Sequence, residues 1–445
     1  MKKVLFFAAT AMLFAACTSD EVNAPKLAQN APQAVVFETY MPAATRAYTS
    51  GVMTTELLGD PGFGVFAYHN PGDASADGSF SYTVGPNFMY DQKVTYGSGW
   101  TYSPLKYWPN ETTKDMLSES GAAYSGTVAT PTKNDVLSFF AYAPWVASTT
   151  STSAGTVAGI NQMVANDATT VGPWIQYTVS KKPSESVDLV WGVAPAGGLT
   201  YTAVNNNNIS VGQGLPLKNL VKPSKDQKIK FLFQHALARI GMTIVAAVDQ
   251  IAPGGALDSN TKIYVNSVTL ADGAATPTIP TYGNLFLNNP NAGIANWQNV
   301  NTSNRYSVTI DSSNELNTDL TNSGTGVTTT EKKIIAQAGS PAKDQYLMLI
   351  PTPGTIGTFN VTIDYDVVTT DAALDAGNST VNNVITKQIT LNTPSTFTPG
   401  VAGFINNKAY NLKLILGLTS VKLDAEVADW EVDGSTEVNL PRNNE

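Results

Sequence analysis

Reactive side chains are scarce in this chain, so the positions of the few present carry weight. Of 445 residues, one is Cys and two are His. The Cys is Cys17, preceded by Lys2, Lys3 and an apolar run from Val4 to Ala16. That run is too short for a membrane span of roughly 20 residues and fits the apolar segment of an export signal. Leu13-Phe14-Ala15-Ala16-Cys17 sets small residues directly before the thiol, as in a bacterial lipobox, where the Cys is diacylated and becomes the new N-terminus. Residues 1–16 are read as a signal peptide and Cys17 as the lipidation site. The plainer alternative is an export signal with a chance Cys near its end. Thr18-Ser19-Asp20-Glu21 looks like an acidic tag for the outer face of the outer membrane. No later apolar run is long enough to span a bilayer, so the lipid would be the anchor.

Arginine is almost as sparse, at 46, 239, 305 and 442. A protease specific for Arg needs an extended, exposed segment. Arg239 and Arg305 lie in or beside apolar strand patterns, and Arg442 is three residues from the end. Ala43-Ala44-Thr45-Arg46-Ala47 is small and flexible, which makes the Arg46–Ala47 bond the candidate cleavage site. Its bland reading is a solvated loop Arg. Asp364 and Asp366 share a strand face and could mimic paired catalytic carboxylates, or simply form the wet side of a half-buried strand. His235, between Phe233 and Leu237, reads as a hydrogen-bonded, part-buried residue. Trp100, Tyr102, Tyr107 and Trp108 could stack on sugar rings or pack into a core. The chain contains no phosphate-binding loop, G-x-S-x-G elbow or H-E-x-x-H helix. One Cys leaves no disulfide framework or thiolate zinc site within the chain. A net charge of −9 without a Lys/Arg cluster argues against nucleic acid as partner. No enzyme activity, cofactor or metal is expected.

The elements that would position these residues follow from composition. Charged residues make up 14% of the chain, about half the usual share. Thr and Asn, at 52 and 37, fill the gap, and a Thr/Asn/Ser surface suits strands and turns rather than helices. The expectation is an all-β protein. Ala34 to Tyr40 reads as a strand that places Val35 and Phe37 on one face. Strands are expected at 62–68, 136–142, 346–350 and, with strict alternation, 361–367. Tyr410, Leu412, Leu414, Leu416 and Leu418 share one face of another. Pro and charge interrupt the pattern between Leu215 and Asp226, so two β-sandwiches are expected, at 47–220 and 221–445, after a lipidated propeptide at 17–46. The Asn/Thr/Ser-rich stretches 148–170, 204–209 and 311–331 are expected as exposed loops. No internal repeat is evident in the sequence.

Several landmarks in order resemble the fimbrillin family, the subunits of type V pili. They are Cys17, Thr45-Arg46-Ala47, Phe63-Gly64-Val65-Phe66-Ala67-Tyr68, Lys106-Tyr107-Trp108-Pro109, Leu137 to Pro144, Phe233 to Arg239, Asn407 to Leu412, and Val427-Ala428-Asp429-Trp430. The resemblance implies two transthyretin-like Greek-key sandwiches and export as a lipoprotein. It also implies cleavage after Arg46 by a gingipain-type, arginine-specific protease. Removing the blocking strand with Val35 and Phe37 then opens a groove that a strand of another pilus subunit fills. The subunit would lie on the cell outer membrane before processing and in the fimbrium afterwards. Val421, Leu423, Ala425 and Val427 alternate with polar residues and are the candidate donor strand. The same residues could instead form the last strand of their own sheet, and Val432, Val438 and Leu440 offer a second candidate. The alternative function is a surface lipoprotein that stays anchored and binds glycans or host proteins.

Overall fold

The structure, a computed structural model, describes residues 33–40, 58–59, 61–70, 85–109, 136–147, 158–164, 172–202, 208–223, 227–246, 260–311, 346–397, 399–416 and 421–429, with short pairs at 321–322, 326–327 and 332–333. What it describes is an all-β protein, as the scarcity of charge and the abundance of Thr and Asn lead one to expect.

The first sheet runs, in order across it, through Phe37–Tyr40, Ile229–His235, Val190–Val193, Val136–Ala143, Phe63–Asn70, Met89–Tyr96 and Trp100–Thr101. Leu217–Leu220 pairs with Val136–Ala143 off that path. Val136–Ala143 lacks polar alternation, and all eight of its residues are buried. Such a run marks a strand covered on both faces. Phe66, Tyr68, Phe140, Tyr142 and Trp191 enter one core. Phe63, Val65, Leu137, Phe139, Phe231 and Phe233 enter a second core on the opposite face. Gly192 makes the second one possible, because a Cβ there would sit 2.8 Å from Phe231 Cδ1 and 3.0 Å from Ala141 Cβ.

A second sheet joins Gly159–Val164, Trp174–Thr178, Tyr282–Phe286 and Asn296–Asn301. It draws strands from both sides of residue 220. The expected boundary at 220/221 also falls between two strands of the first sheet, Leu217–Leu220 and Ile229–His235. Only between His235 and Ala238 does the chain leave the first sheet and start the third.

In the third sheet Ala238–Ala246 lies parallel to Lys408–Leu416, with Val421–Asp429 outside that strand and Leu347–Leu349 and Lys332–Lys333 on the far side. The fourth sheet orders Ser307–Asp311, Thr261–Asp272, Gly357–Thr370 and Asn378–Leu391. Ile240, Met242, Leu412 and Leu414 from the third sheet share a core with Ile263, Val265, Val361 and Ile363 from the fourth.

The polar stretches expected as loops contain strands. Gly159–Val164 lies within 148–170, and Asn208–Val211 begins within 204–209. Thr321–Asn322 pairs with Gly326–Val327 within 311–331. Strands at a sheet edge keep one side wet, so Asn and Thr serve there as well as in turns.

Candidate functional site

Residues 34–40 are where the sequence leads one to expect a removable strand, and the structure describes 33–40 with its partners. Phe37–Tyr40 pairs in parallel with Ile229–His235, in register from Phe37↔Ile229 to Tyr40↔Leu232. Just upstream, an antiparallel bridge joins Ala34 to Tyr107. Val35 N donates to Lys106 O at 2.9 Å, Trp108 N donates to Gln33 O at 2.9 Å, and Ile229 N donates to Val36 O at 2.8 Å. Residues 33–35 therefore bridge to 106–108, while 36–40 line the Ile229–His235 strand and 37–40 form the sheet's edge.

Period-two geometry sends Val35 and Phe37 inward, where they are buried, while Val36 points out. Four rings surround Phe37. Phe231 stacks on it with centroids 5.9 Å apart, and Tyr102, Phe139 and Phe63 stand at 5.5, 5.9 and 6.0 Å. Burying these two side chains stabilises the docked strand by roughly 3–6 kcal/mol. Glu38 and Lys230 approach to 3.8 Å across the parallel pair, but both side chains are well exposed. An ion pair of that kind adds little.

Tyr102 latches the segment. Its buried hydroxyl donates to Val35 O at 2.8 Å and accepts from Lys106 N at 3.3 Å. Burial pushes the phenol up from 10.0 to about 12, so at neutral pH it stays a donor. Sequence reading grouped Tyr102 with Trp100, Tyr107 and Trp108 without separating their roles. In the structure Tyr102 and Trp108 are buried beneath the N-terminal strand and Tyr107 is half exposed. Trp100 packs on Phe63 at 4.9 Å. The seat strand Ile229–His235 was not linked to residues 34–40 by sequence. Its Ile-x-Phe-x-Phe alternation was the available signal.

Cys17, Arg46 and Ala47 lie outside the described residues, as do Val432, Val438 and Leu440. Val421–Asp429 is antiparallel to Lys408–Leu416, with Leu414↔Leu423, Leu412↔Ala425 and Tyr410↔Val427 in register. Leu423, Ala425 and Val427 are half-buried against the adjacent core. The candidate donor strand is thus the edge strand of its own sheet.

Asp364 Oδ1 accepts from Asn266 Nδ2 at 3.1 Å and from Asn382 Nδ2 at 2.8 Å, and Asn382 also donates to Asp366 Oδ1 at 2.8 Å. These exposed hydrogen bonds tie neighbouring strands together. His235 Nδ1 lies 2.8 Å from Asp188 Oδ2, both buried at the end of the seat strand. Among the described residues no group of three or more His, Cys, Asp or Glu could hold a metal ion.

No family model matches the sequence, and no curated protein matches it. Solved structures do. A fimbrial protein from Bacteroides vulgatus is 18% identical, with a TM-score of 0.55 over 89% of this chain and 99% of that one. A putative cell adhesion protein from Bacteroides uniformis is 14% identical over 90% of this chain and 99% of its own, with a TM-score of 0.36. The fimbrial anchor protein Mfa2 from Porphyromonas gingivalis is 10% identical over 90% and 98%, with a TM-score of 0.31. The first likeness shows a shared fold across nearly the whole of both chains. The other two superpose too little to carry an argument.

Proposed function

We propose that this chain is a structural subunit of a surface pilus, made as a lipoprotein precursor and assembled by strand exchange. The observation that carries the reading is the seat of residues 33–40. Two inward side chains, four surrounding aromatic rings and the Tyr102 latch hold a short edge strand that the fold does not enclose. Six residues beyond Tyr40 stands Arg46. A cut after Arg46 would end the covalent link between residues 17–46 and the body, and with it the lipid anchor at Cys17. The strand's effective concentration in the seat, in the millimolar range for a short tether, would then fall to that of a free peptide. An emptied seat exposes Phe231 and unpaired backbone groups of Ile229–His235, which invites a strand from another subunit.

The two described arginines, Arg239 and Arg305, support Arg46 as the site by elimination. Arg239 is buried, its guanidinium 4.3 Å from the Tyr346 ring. Arg305 donates to the carbonyls of Asp272, Ala274 and Ala275. Neither offers the exposed, unpaired segment a protease needs: Arg239 lies in a strand paired on both sides, and Arg305 is tied to three carbonyls. The donor in this reading is 421–427 or 432–440 of a second subunit. The fold shared with a fimbrial protein agrees with a structural, non-enzymatic role at the cell surface. The precursor belongs on the outer membrane and the product in the fimbrium, with an arginine-specific protease and other subunits as partners.

A second reading, an anchored lipoprotein that binds glycans, is favoured by the exposed rings of Tyr90, Tyr96 and Tyr107. One experiment separates the two. Surface-extracted protein is sized before and after an arginine-specific protease, alongside Arg46→Ala. Pilus assembly predicts a shortened, polymer-forming product from the native chain and an uncut, monomeric precursor from the variant. Fibres from Arg46→Ala would refute the cleavage step.

A further inference from the structure

Asn378–Leu391 is the outer strand of the fourth sheet and differs from the other sheet edges in the described residues. It is fourteen residues long and pairs with Gly357–Thr370 without a register shift from Gly357↔Leu391 to Thr370↔Asn378. Free edges invite pairing with other chains, and proteins blunt them with shortness, charge, Pro or bulges. Five other edges here are blunted. Phe37–Tyr40 and Ser307–Asp311 are short. Asn296–Asn301 contains Asn299 at a φ of 50°, and Gly159–Val164 begins at Gly159 with a φ of 83° and carries a register shift. Val421–Asp429 alternates Lys422, Asp424 and Glu426 along its length. Asn378–Leu391 has one charge, Lys387, and no Pro. Val381 and Val384 are 60% and 61% exposed on it.

We propose that this edge pairs antiparallel with the same edge of a second copy of the chain, about a two-fold axis through Ile385. The proposal does not depend on strand exchange at the N-terminus. A two-fold axis normal to the sheet keeps each face of the strand opposite the same face of its mate. Residues whose numbers sum to 770 then oppose one another. On the inner face Ile385 meets Ile385, Val381 meets Ile389, and Asn383 meets Lys387. On the outer face Val384 meets Thr386 and Asn382 meets Gln388. The inner-face Val381, Ile385 and Ile389 all find apolar partners, the buried Leu391 at the strand's end lies opposite Ser379, and no like charges oppose. Shifting the axis to Val384 instead sets Val381 against Lys387 and Ile385 against Asn383.

The strand is already ordered for such pairing. Asn382 is held by Asp364 and Asp366, Thr386 by Thr362 at 2.8 Å, and Gln388 by Gly273 O at 3.1 Å. Ordering before contact lowers the entropic cost of association. The result would be one continuous sheet of eight strands across two copies.

The test exploits position 385, which faces itself across the axis. Sedimentation velocity of the purified full chain from micromolar to near-millimolar concentration should show a monomer–dimer equilibrium. Ile385→Lys alone and Ile385→Glu alone should each sediment as monomers, because like charges then oppose. Mixed in equal amounts they should dimerise again. Val381→Asp, at an exposed position where the fold is unstressed, should weaken dimers at least tenfold. Thermal melts of all variants establish that the monomers are folded, and the Val381 variant stands in if Ile385 proves intolerant. A native chain that stays monomeric throughout overturns the proposal. So does a dimer that survives Ile385→Lys and Val381→Asp, or a charge-swapped mixture that does not recover.

Discussion

Among the described residues, two strands distant in sequence come together in parallel at two places, and the two places differ in how firmly they are closed. Near the N-terminus, Phe37–Tyr40 lies along Ile229–His235, with residues 33–35 bridged on the other side to 106–108. In the third sheet, Ala238–Ala246 lies along Lys408–Leu416, with Leu347–Leu349 antiparallel on its other side. Even the flanks correspond, since Tyr107 and Leu349 each stand two residues before a proline, Pro109 and Pro351. Length and burial separate them. The first closure seats Val35 and Phe37 from a short segment whose strand, Phe37–Tyr40, has four residues at an edge. The second buries Ile240, Met242 and Ile244 against Tyr410, Leu412, Leu414 and Leu416 in the middle of a sheet. In the proposed function one arrangement would be the detachable plug and the other permanent structure, in line with a severalfold difference in the apolar area at stake.

The largest expected effect breaks the permanent closure. Ile240→Asp buries an unpaired carboxyl among Leu347, Leu349 and the Lys408–Leu416 strand, at a cost of several kcal/mol, ~4 or more. It should collapse the thermal melt of the whole precursor. Phe37→Asp, an equally severe change at the other closure, should release only residues 33–40. Hydrogen exchange should become fast at 35–40 and at the 229–232 amides while the main melt stays within a few degrees. If Phe37→Asp lowers the melt as much as Ile240→Asp, the N-terminal strand is integral and the contrast fails. Phe37→Ala should give the same local pattern at roughly 3–5 kcal/mol.

Next in size is the edge strand Val421–Asp429, which borders the permanent closure. Val427 is half-buried opposite Tyr410, and Glu426 lies opposite the exposed Asn411. Val427→Asp should cost roughly 1–3 kcal/mol in the monomer, and Glu426→Lys should fall within about 0.5 kcal/mol of the native chain. For polymerisation of cleaved protein, Val427→Asp should abolish fibres if this strand is donated. Normal fibres from that variant exclude 421–427 and leave 432–440 as the donor. A collapsed melt would place the strand among the permanent elements and remove it from consideration.

How much of this was legible beforehand depended on what kind of signal each element leaves. Val35 and Phe37 around Val36 gave the N-terminal strand and its inward face, because alternation is a local property. The unbroken run Val136–Ala143 marked a strand, and its lack of alternation carried the further message that both faces are buried. The partner of the N-terminal strand was not legible, since nothing in residues 34–40 encodes pairing with a segment near residue 230. Tyr102 as a latch was hidden for the same reason, a hydrogen bond spanning 67 residues of sequence. The second sheet escaped because its members around 159–178 and 282–301 sit on either side of the Pro and charge between 215 and 226. That punctuation encloses the strand Leu217–Leu220 and is not a limit of pairing. The twofold parallel closure is a repeat of topology without a repeat of sequence, which self-comparison of residues does not detect.

The smallest expected effect tests the latch itself, and with it the claim that the N-terminal closure is held by few contacts. Tyr102→Phe keeps the ring beside Phe37 and removes the hydroxyl that reaches Val35 O and Lys106. Loss of a buried hydrogen bond that leaves a carbonyl unpaired costs roughly 1–2 kcal/mol. Exchange at residues 35–40 should quicken about tenfold while the third and fourth sheets stay unchanged. The pH dependence has a definite sign. In the docked state the phenol titrates near 12, above its ordinary value of 10.0. Docking therefore holds the proton more tightly than release does, and its contribution is complete below pH 10. It falls as pH rises from 10 towards 12, where the released strand leaves Tyr102 free to ionise. Native precursor should accordingly show accelerated exchange at 35–40 between those pH values, after correction for the intrinsic rate. The Tyr102→Phe chain should show the faster baseline without that extra alkaline step. An alkaline step of equal size in both chains would mean that another group governs the seat, and Tyr102 would then be packing rather than latch.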